Sequence, residues 1–340
     1  MTERIRPAGE SDLDAMAALA AAREAALARA EPPFPEFAAA DQDSDPRERQ
    51  RTALARTMEP GGHVALVAED GGRVIGFTLL SAFGPIPGRP ADEPVVGTLV
   101  AFDVEPERWP TAGPALLRTT LGAARAGGIG LLTASSTSPE TEKRRLLADA
   151  GLQVVVEAWW RSLEKDDEPV EAEGVRIGPA AVADVDAMVA IETARRAEGA
   201  RRDPGAGSLL SGETQGIRRR VLTEWVESPH ADVLIAQAGG RPVGYMIVMD
   251  LSPMAEAVPP AVVAINGFDA EREQWPTAGR ALLHAALDAA RARGAEQVIV
   301  HLEALDPDRR AELEAAGMTV MFEQWMTALD GPARQGAPGV

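Results

Sequence analysis

Two aspartates occupy the same place in two similar stretches of the chain, Asp103 in Phe102-Asp103-Val104 and Asp269 in Phe268-Asp269-Ala270. At strand spacing a carboxylate between two apolar residues turns to the face opposite its neighbours. Each Asp is therefore expected to look away from the helix-packed side, where it can take a proton from an ammonium or polarise a water. The plainer alternative is that it satisfies loop amides at a strand end. His301 and Glu303 alternate on a later strand of the second stretch, where Ser135 and Thr137 stand in the first. A histidine there titrates near neutrality and can deprotonate an amine. Asp269 and His301 are thus the candidate catalytic residues, a surface or hydrogen-bonded role being the alternative for His301.

Other chemistries find no residues to carry them. The chain has no cysteine, which excludes thiol nucleophiles, thiolate metal sites and disulfides. Its four histidines, His63, His230, His284 and His301, lack ligand spacing, so no metal is assigned. No G-x-S-x-G elbow is present. Lys+Arg 34 against Asp+Glu 52 leaves a net charge of −18, which would repel a polyphosphate backbone, so no nucleic-acid partner is expected. With 45% hydrophobic and 25% charged residues the composition is that of a soluble globular protein. No run approaches the ~18 apolar residues of a membrane span. The start, Met1 to Arg6, carries no basic-then-apolar leader, and a cytoplasmic protein is expected. The two lysines, Lys143 and Lys165, among many arginines and alanines suggest a bacterial source.

The elements that hold these residues are written twice. Arg4-Ile5-x-Pro7-Ala8 before Asp12-x-Asp14-Ala15-Met16 returns as Arg176-Ile177-x-Pro179-Ala180 before Asp184-x-Asp186-Ala187-Met188. Gly71-Gly72-Arg73 returns as Gly239-Gly240-Arg241, and Trp109-Pro110-Thr111-Ala112-Gly113 as Trp275-Pro276-Thr277-Ala278-Gly279. Two long copies in the same order mean a duplicated domain rather than a solenoid of short repeats. The expected division is a first domain over 1–163, an acidic linker over 164–174, a second domain over 175–330 and a flexible tail over 331–340. In each copy an Ala-rich helix capped by Asp12 or Asp184 and a second helix precede a hairpin turning through Gly-Gly. A strand then runs through the Trp-Pro-Thr-Ala-Gly segment into a helix over Ala115 to Ala126 or Ala281 to Arg293. Another strand, a helix ending at Gly151 or Gly317, and a closing pair of strands through Trp159 or Trp325 complete the copy. The fold class is α/β, with two tandem domains that are each a mixed, mostly antiparallel sheet flanked by helices.

This order resembles the GCN5-related N-acetyltransferase (GNAT) superfamily across both copies, and among its tandem members the proteins that look like mycothiol synthase. The resemblance implies acetyl-CoA, or another acyl-CoA, as co-substrate. Its pyrophosphate would lie on a Q/R-x-x-G-x-G/A segment whose amides and helix dipole converge on the anion. That segment falls on Arg108, Thr111, Ala112 and Gly113 in the first copy and on Gln274, Thr277, Ala278, Gly279 and Arg280 in the second. In both the inner glycine is Thr and a proline precedes it, which removes an amide donor. Pro114 removes another in the first copy, whereas Arg280 adds a cation in the second. The second copy is therefore expected to hold the chemistry. The family's acid position falls on Leu147 and Leu313. Trp109 and Trp275 are read as staples pinning the turn, with a ligand platform as the alternative. The expected function is direct acyl transfer from acyl-CoA to a small-molecule amine, without a membrane partner and with a homodimer as one option. The alternative is a non-catalytic relative that acts as a ligand-binding or interaction module; an aminoacyl-tRNA-dependent transferase conflicts with the charge.

Overall fold

The computed structural model describes residues 3–30, 45–58, 63–83, 95–163, 173–202, 212–250, 262–303 and 306–329. Most of the expected linker and all of the expected tail lie outside the described residues. Two compact units emerge, Met1–Val155 with Phe322–Val340, and Val156–Met321. This division differs from a cut at the linker, because each copy's closing strand belongs to the other unit.

In the first unit the strands are β1 (Arg4–Pro7), β2 (His63–Asp70), β3 (Arg73–Phe83), β4 (Val95–Val104) and β5 (Ile129–Thr137), with the helices α1 (Leu13–Leu27), α2 (Pro46–Thr57), α3 (Trp109–Ala126) and α4 (Thr141–Asp149). The strands follow one another in sequence order, antiparallel except for parallel β4 and β5. β12 (Thr319–Ala328), from the end of the chain, pairs antiparallel with the outer side of β5. In the second unit β7 (Val175–Pro179), β8 (Ala231–Ala238), β9 (Arg241–Asp250), β10 (Val262–Ala270) and β11 (Gln297–Glu303) repeat the order. There β6 (Gln153–Ser162) pairs with β11. The helices are α5 (Val185–Arg202), α6 (Gly212–Glu227), α7 (Arg280–Ala292) and α8 (Pro307–Ala315). A single closing strand thus replaces the expected pair in each copy.

Each sheet is covered on both faces. In the first unit Leu13, Met16 and Ala17 of α1 pack with Val67, Phe77 and Leu79, while Leu116, Leu117 and Leu121 of α3 pack with Ile75, Phe102 and Leu132. In the second, Met188 and Val189 pack with Ile235, Tyr245 and Ile247 on one face, and Leu282, Leu283 and Ala286 with Phe268, Val298 and Val300 on the other. α1 and α5 are entered through a short 3-10 turn in which Asp12 and Asp184 accept hydrogen bonds from the amides of Gly9 and Ala181, both at 2.8 Å. The capping carboxylate thus bonds backwards along the chain rather than forwards into the helix.

Two features of the parallel strands place the site. β4 carries an extra residue at Val100, between the pairs Leu79↔Ala101 and Leu80↔Leu99. β10 carries one between Asn266 and Asp269, where Gly267 sits at φ +68°, a backbone state open chiefly to glycine. Such bulges bend a strand away from its neighbour. Accordingly β4 and β5 pair only as far as Leu99↔Ala134, and β10 and β11 only as far as Ile265↔Val300. Beyond these points the parallel strands diverge.

Candidate functional site

Each wedge opens beside a cleft. In the first unit it has a volume of about 710 Å³ and is bounded by α1, the end of β4, Trp109 and the residues that open α4. In the second unit the cleft is 440 Å³, bounded by α5, the end of β10, Trp275 and the start of α8.

 The first unit's cleft is therefore the roomier, 710 Å³ in all against 440 Å³ in the second unit. Its α1 wall is apolar, built from Ala15, Ala18, Leu19, Ala22 and Leu27.

In the second unit Asp269 points to the α5 face, as its alternation predicts, and is buried there. Arg195 of α5 ion-pairs with it, Arg309 Nη2 of α8 lies 3.2 Å from its Oδ1, and the Tyr245 hydroxyl donates to its Oδ2 at 3.2 Å. Burial alone would raise its pKa, but Arg195 and Arg309 outweigh burial and hold the carboxyl below its ordinary value. Arg195 also donates to Glu303 at 2.6 Å, and Arg309 to Asp306 at 2.9 Å. His301 shares the Glu303 face of β11, one residue beyond the last β10 pairing, with its side chain exposed. Desolvation lowers its pKa, so the imidazole is neutral at pH 7 and able to accept a proton. The hydrogen bonds and ion pairs of Asp269 run to Arg195, Arg309 and Tyr245 and do not bring it together with His301.

The first unit repeats this arrangement with fewer donors. Asp103, equally buried, has Arg23 Nε 3.3 Å from its Oδ1, and that oxygen, like the Oδ1 of Asp269, accepts no hydrogen bond. Phe77 stands opposite Asp103 where Tyr245 stands opposite Asp269. Lys143 takes the place of Arg309, buried, with its Nζ 3.6 Å from Glu140. Burial raises the Asp103 pKa and lowers that of Lys143. Burial also acts upward on Glu140, but Lys143 and Arg23 reverse it and hold this carboxyl at about 2.

The segments after β4 and β10 are wound into helix. α3 begins at Trp109, not Ala115, and Trp275–Gly279 forms a π-helical turn that runs directly into α7. The reason is the tryptophan. Trp109 and Trp275 meet Phe102 and Phe268 edge to face, with ring centroids 4.9 and 4.8 Å apart, and each indole lies over the glycine four residues on. Such ring pairs contribute about 0.5–1.5 kcal/mol beyond their buried area. Ala112, Gly113, Ala278 and Gly279 are buried. Thr111 donates to Glu3 at 2.6 Å and Thr277 to the Gln274 carbonyl at 3.2 Å. Arg108 lies 3.1 Å from Asp70, and Arg280 pairs with Glu312 at 3.0 Å.

No protein-family model matches the chain, and no curated protein matches it in sequence. Solved structures do. A GCN5-related N-acetyltransferase from Sphaerobacter thermophilus aligns over 97% of this chain and 97% of its own, at 17% identity and a TM-score of 0.53. The fold is that of the GCN5-related N-acetyltransferases. A tandem GNAT protein from the clavulanic acid biosynthesis pathway, solved without acetyl-CoA, aligns over 98% of this chain and 100% of its own, at 18% identity and a TM-score of 0.47. A putative acetyltransferase from Salmonella typhimurium, solved with its cofactor acetyl-CoA, covers 45% of this chain and 81% of its own, at 22% identity and a TM-score of 0.34.

Within this acetyltransferase fold the wedge and the turn fit an acyl-CoA differently. Past the bulge the inner edges of β4 and β5, and of β10 and β11, stop pairing with each other, and an extended amide-bearing arm can satisfy such edges. The turn does not fit a pyrophosphate: its small residues are buried, a proline removes a donor, and its basic side chains are held by carboxylates. Leu147 and Leu313, at the acid position, are fully buried in their cores. The tyrosine hydroxyl of the chain is committed to Glu192 and Asp269. Among the described residues no cluster of three or more His, Cys, Asp or Glu could hold a metal, and no helix is long and apolar enough to cross a membrane. Sequence reasoning missed Arg23, Arg195 and Arg309 as partners of the two aspartates, and Glu140 and Lys143 as the pair beside Asp103. The signal was there, since Arg23 and Arg195, and Glu140 and Asp306, recur at corresponding places of the copies. Of the arginines weighed as contacts for an acidic ligand, Arg218 pairs with Glu192 and Arg219 with Asp186, both at 2.6 Å, while the Arg201 and Arg202 side chains lie outside the described residues.

Proposed function

We propose that the chain transfers an acyl group directly to a small-molecule amine, with acyl-CoA as donor. The observation that carries this reading is the bulge and divergence kept in both copies, with a cleft at the mouth of each wedge. In the second copy neutral, exposed His301 is the group suited to take a proton from the acceptor's ammonium and so free the amine that attacks the acyl carbon. Asp269, ionised and locked between two arginines, braces Arg195 and, through it, Glu303 beside that histidine. Positioning supplies the rest of the rate.

The helical turn favours a second reading, a ligand-binding module that does not transfer. Calorimetric titration with acetyl-CoA, followed by measurement of free CoA thiol released in the presence of an amine panel, decides between them. Binding with amine-dependent thiol release supports transfer. Absence of acetyl-CoA binding overturns it and leaves the binding module.

A further inference from the structure

An acyl-CoA joins two unlike parts, an uncharged amide-bearing arm that ends in the thioester and a nucleotide end that carries several phosphate charges. Each wedge suits the arm, because past the bulge the inner strand edges leave backbone groups that an extended amide can pair. The nucleotide end finds no such match. A helix N-terminus holds an anion through amides that have no other partner. The helices that begin beside the clefts carry the chain's own carboxylates or carbonyls there. At α3 the Arg108 amide bonds the Glu105 carbonyl at 2.8 Å, and Glu3, which accepts from Thr111 at 2.6 Å, puts a carboxylate at the turn. At α7 the Gln274 amide bonds the Glu271 carbonyl at 2.8 Å, the Arg280 amide bonds the Thr277 carbonyl, and the Trp275 ring covers Gly279. Glu140 accepts from the Thr137 amide at 2.7 Å before α4, and Asp306 from the Arg309 amide at 3.2 Å in α8. The lining cations are paired as well. Arg23 pairs with Glu140 and Arg73 with Glu105, and Lys143 lies 3.6 Å from Glu140. In the second cleft Arg195 pairs with Glu303, Arg241 with Glu271 and Arg272 with Glu198. In both clefts the lining carboxylates outnumber the lining cations.

We propose that the acyl donor is recognised through its pantetheine arm alone, so that an acyl thioester of pantetheine serves this chain as well as the acyl-CoA does. The proposal rests on the transfer reading for its choice of donor and adds which part of the donor the chain reads. The arm lies between the parted strands, its amides against backbone edges, a match that breaks no ion pair. Arg108, Thr111, Thr277 and Arg280 keep the partners they have in the free chain. The nucleotide end stays in water, where its charge needs no partner. A phosphate brought into either cleft would have to displace a carboxylate from its cation, against the field of a chain that carries −18.

The test is calorimetric titration of the full chain with acetyl-pantetheine, acetyl-CoA and adenosine 3′,5′-bisphosphate, without any acceptor amine. The two thioesters are expected to bind within about 3-fold of each other, and the bisphosphate is expected not to bind. Raising salt from about 10 mM to about 100 mM shortens the screening length from about 30 Å to about 10 Å. The affinity for acetyl-CoA is expected to stay level or rise, because what is screened is repulsion. With acetyl-pantetheine bound, hydrogen exchange is expected to slow where the strands part in at least one copy, at 100–104 and 135–137 or at 266–270 and 301–303. Acetyl-CoA binding about 10-fold or more tightly than acetyl-pantetheine, an affinity for acetyl-CoA that falls with salt, binding of the bisphosphate, or slowing confined to other segments overturns the proposal. Amine-dependent thiol release separates this result from the transfer reading. A strong preference for acetyl-CoA with thiol release overturns the proposal and leaves transfer standing. Equal binding of both thioesters without thiol release keeps recognition by the arm and removes transfer, and no binding of either overturns both.

Discussion

Tyr245 and Asp269 face each other across β9 and β10 and share a hydrogen bond of 3.2 Å, whereas Phe77 and Asp103, paired across β3 and β4 in the same register, share none. Equal burial therefore has opposite consequences for the two carboxyl groups. The Asp269 pKa is lowered in the folded chain, so its contribution to stability is present above the ordinary carboxylate range and is lost as pH falls through the folded value. The Asp103 pKa is raised, so its contribution is present at low pH and is lost as pH rises through the folded value. Asp269→Asn, which leaves Arg195 with Glu303 and Arg309 with Asp306, is expected to cost about 1–3 kcal/mol at pH 7 and less in acid. Asp103→Asn is expected to leave stability at pH 7 within about 1 kcal/mol of the parent or above it. Denaturant melts of both variants from pH 2 to pH 7 check the opposite signs.

The indole over each glycine yields a second prediction. A Cβ on Gly279 would come within 2.8 Å of Trp275 Cζ3, part of a rigid buried ring, while a Cβ on Gly113 would meet the movable Leu146 Cδ1 at 2.6 Å and Trp109 Cε3 at 3.1 Å. Gly279→Ala is expected to destabilise by about 1–3 kcal/mol, and Gly113→Ala by less. Equal losses in thermal melts would count against the tryptophan as the reason for these glycines.

The exchanged strands can be tested by shortening the chain. Ending it at Met321 removes β12 from the first unit, together with Trp325, whose indole donates to Ser136 at 2.8 Å, and Glu323, which holds Arg144 at 2.6 Å. Hydrogen exchange is expected to accelerate across Ile129–Thr137 and to change little across Gln297–Glu303, which retains β6. Acceleration confined to Gln297–Glu303 would mean that each copy keeps its own closing strand.

Much of this architecture is legible in the sequence, and the exceptions have physical reasons. Gly71-Gly72 and Gly239-Gly240 take positive φ, which is why the hairpins could be placed from the turn residues. The extent of β4, Val95 to Val104, follows from its run of apolar residues bounded by polar and proline-containing segments. The strand exchange is not legible, because Glu157-x-Trp159 and Glu323-x-Trp325 carry the same pattern and meet equivalent partners. Glu157 pairs with Arg310 of the second copy and Glu323 with Arg144 of the first, both through the same position of α8 or α4. The start of α3 at Trp109 rather than Ala115 reflects the Trp and Gly of Trp-Pro-Thr-Ala-Gly, not its missing inner glycine. The Trp and Gly stand four residues apart, one helical turn, and that spacing already places the ring over the glycine. At the site, reading single residues found Asp269 but not its two arginines, which lie on α5 and α8 and come together only in the fold.

Asp269 and His301 differ in what each can do for a proton. His301 is exposed, bears a pKa lowered by desolvation and stands where β10 and β11 part. If the chain transfers an acyl group in this half, the acidic limb of the pH profile of kcat/KM falls below the ordinary histidine value of about 6.5. His301→Gln is then expected to flatten that limb and to lower kcat/KM by about 10²–10⁴-fold, with little change in melting temperature, since an exposed side chain contributes little to packing. Asp269→Asn is expected to show the reverse emphasis, a large loss of melting temperature, and to keep the position of the acidic limb in whatever activity remains. Thiol-release assays from pH 5 to pH 9 on both variants read the difference. An acidic limb that moves in Asp269→Asn and stays in place in His301→Gln would transfer the base role from the histidine to the aspartate.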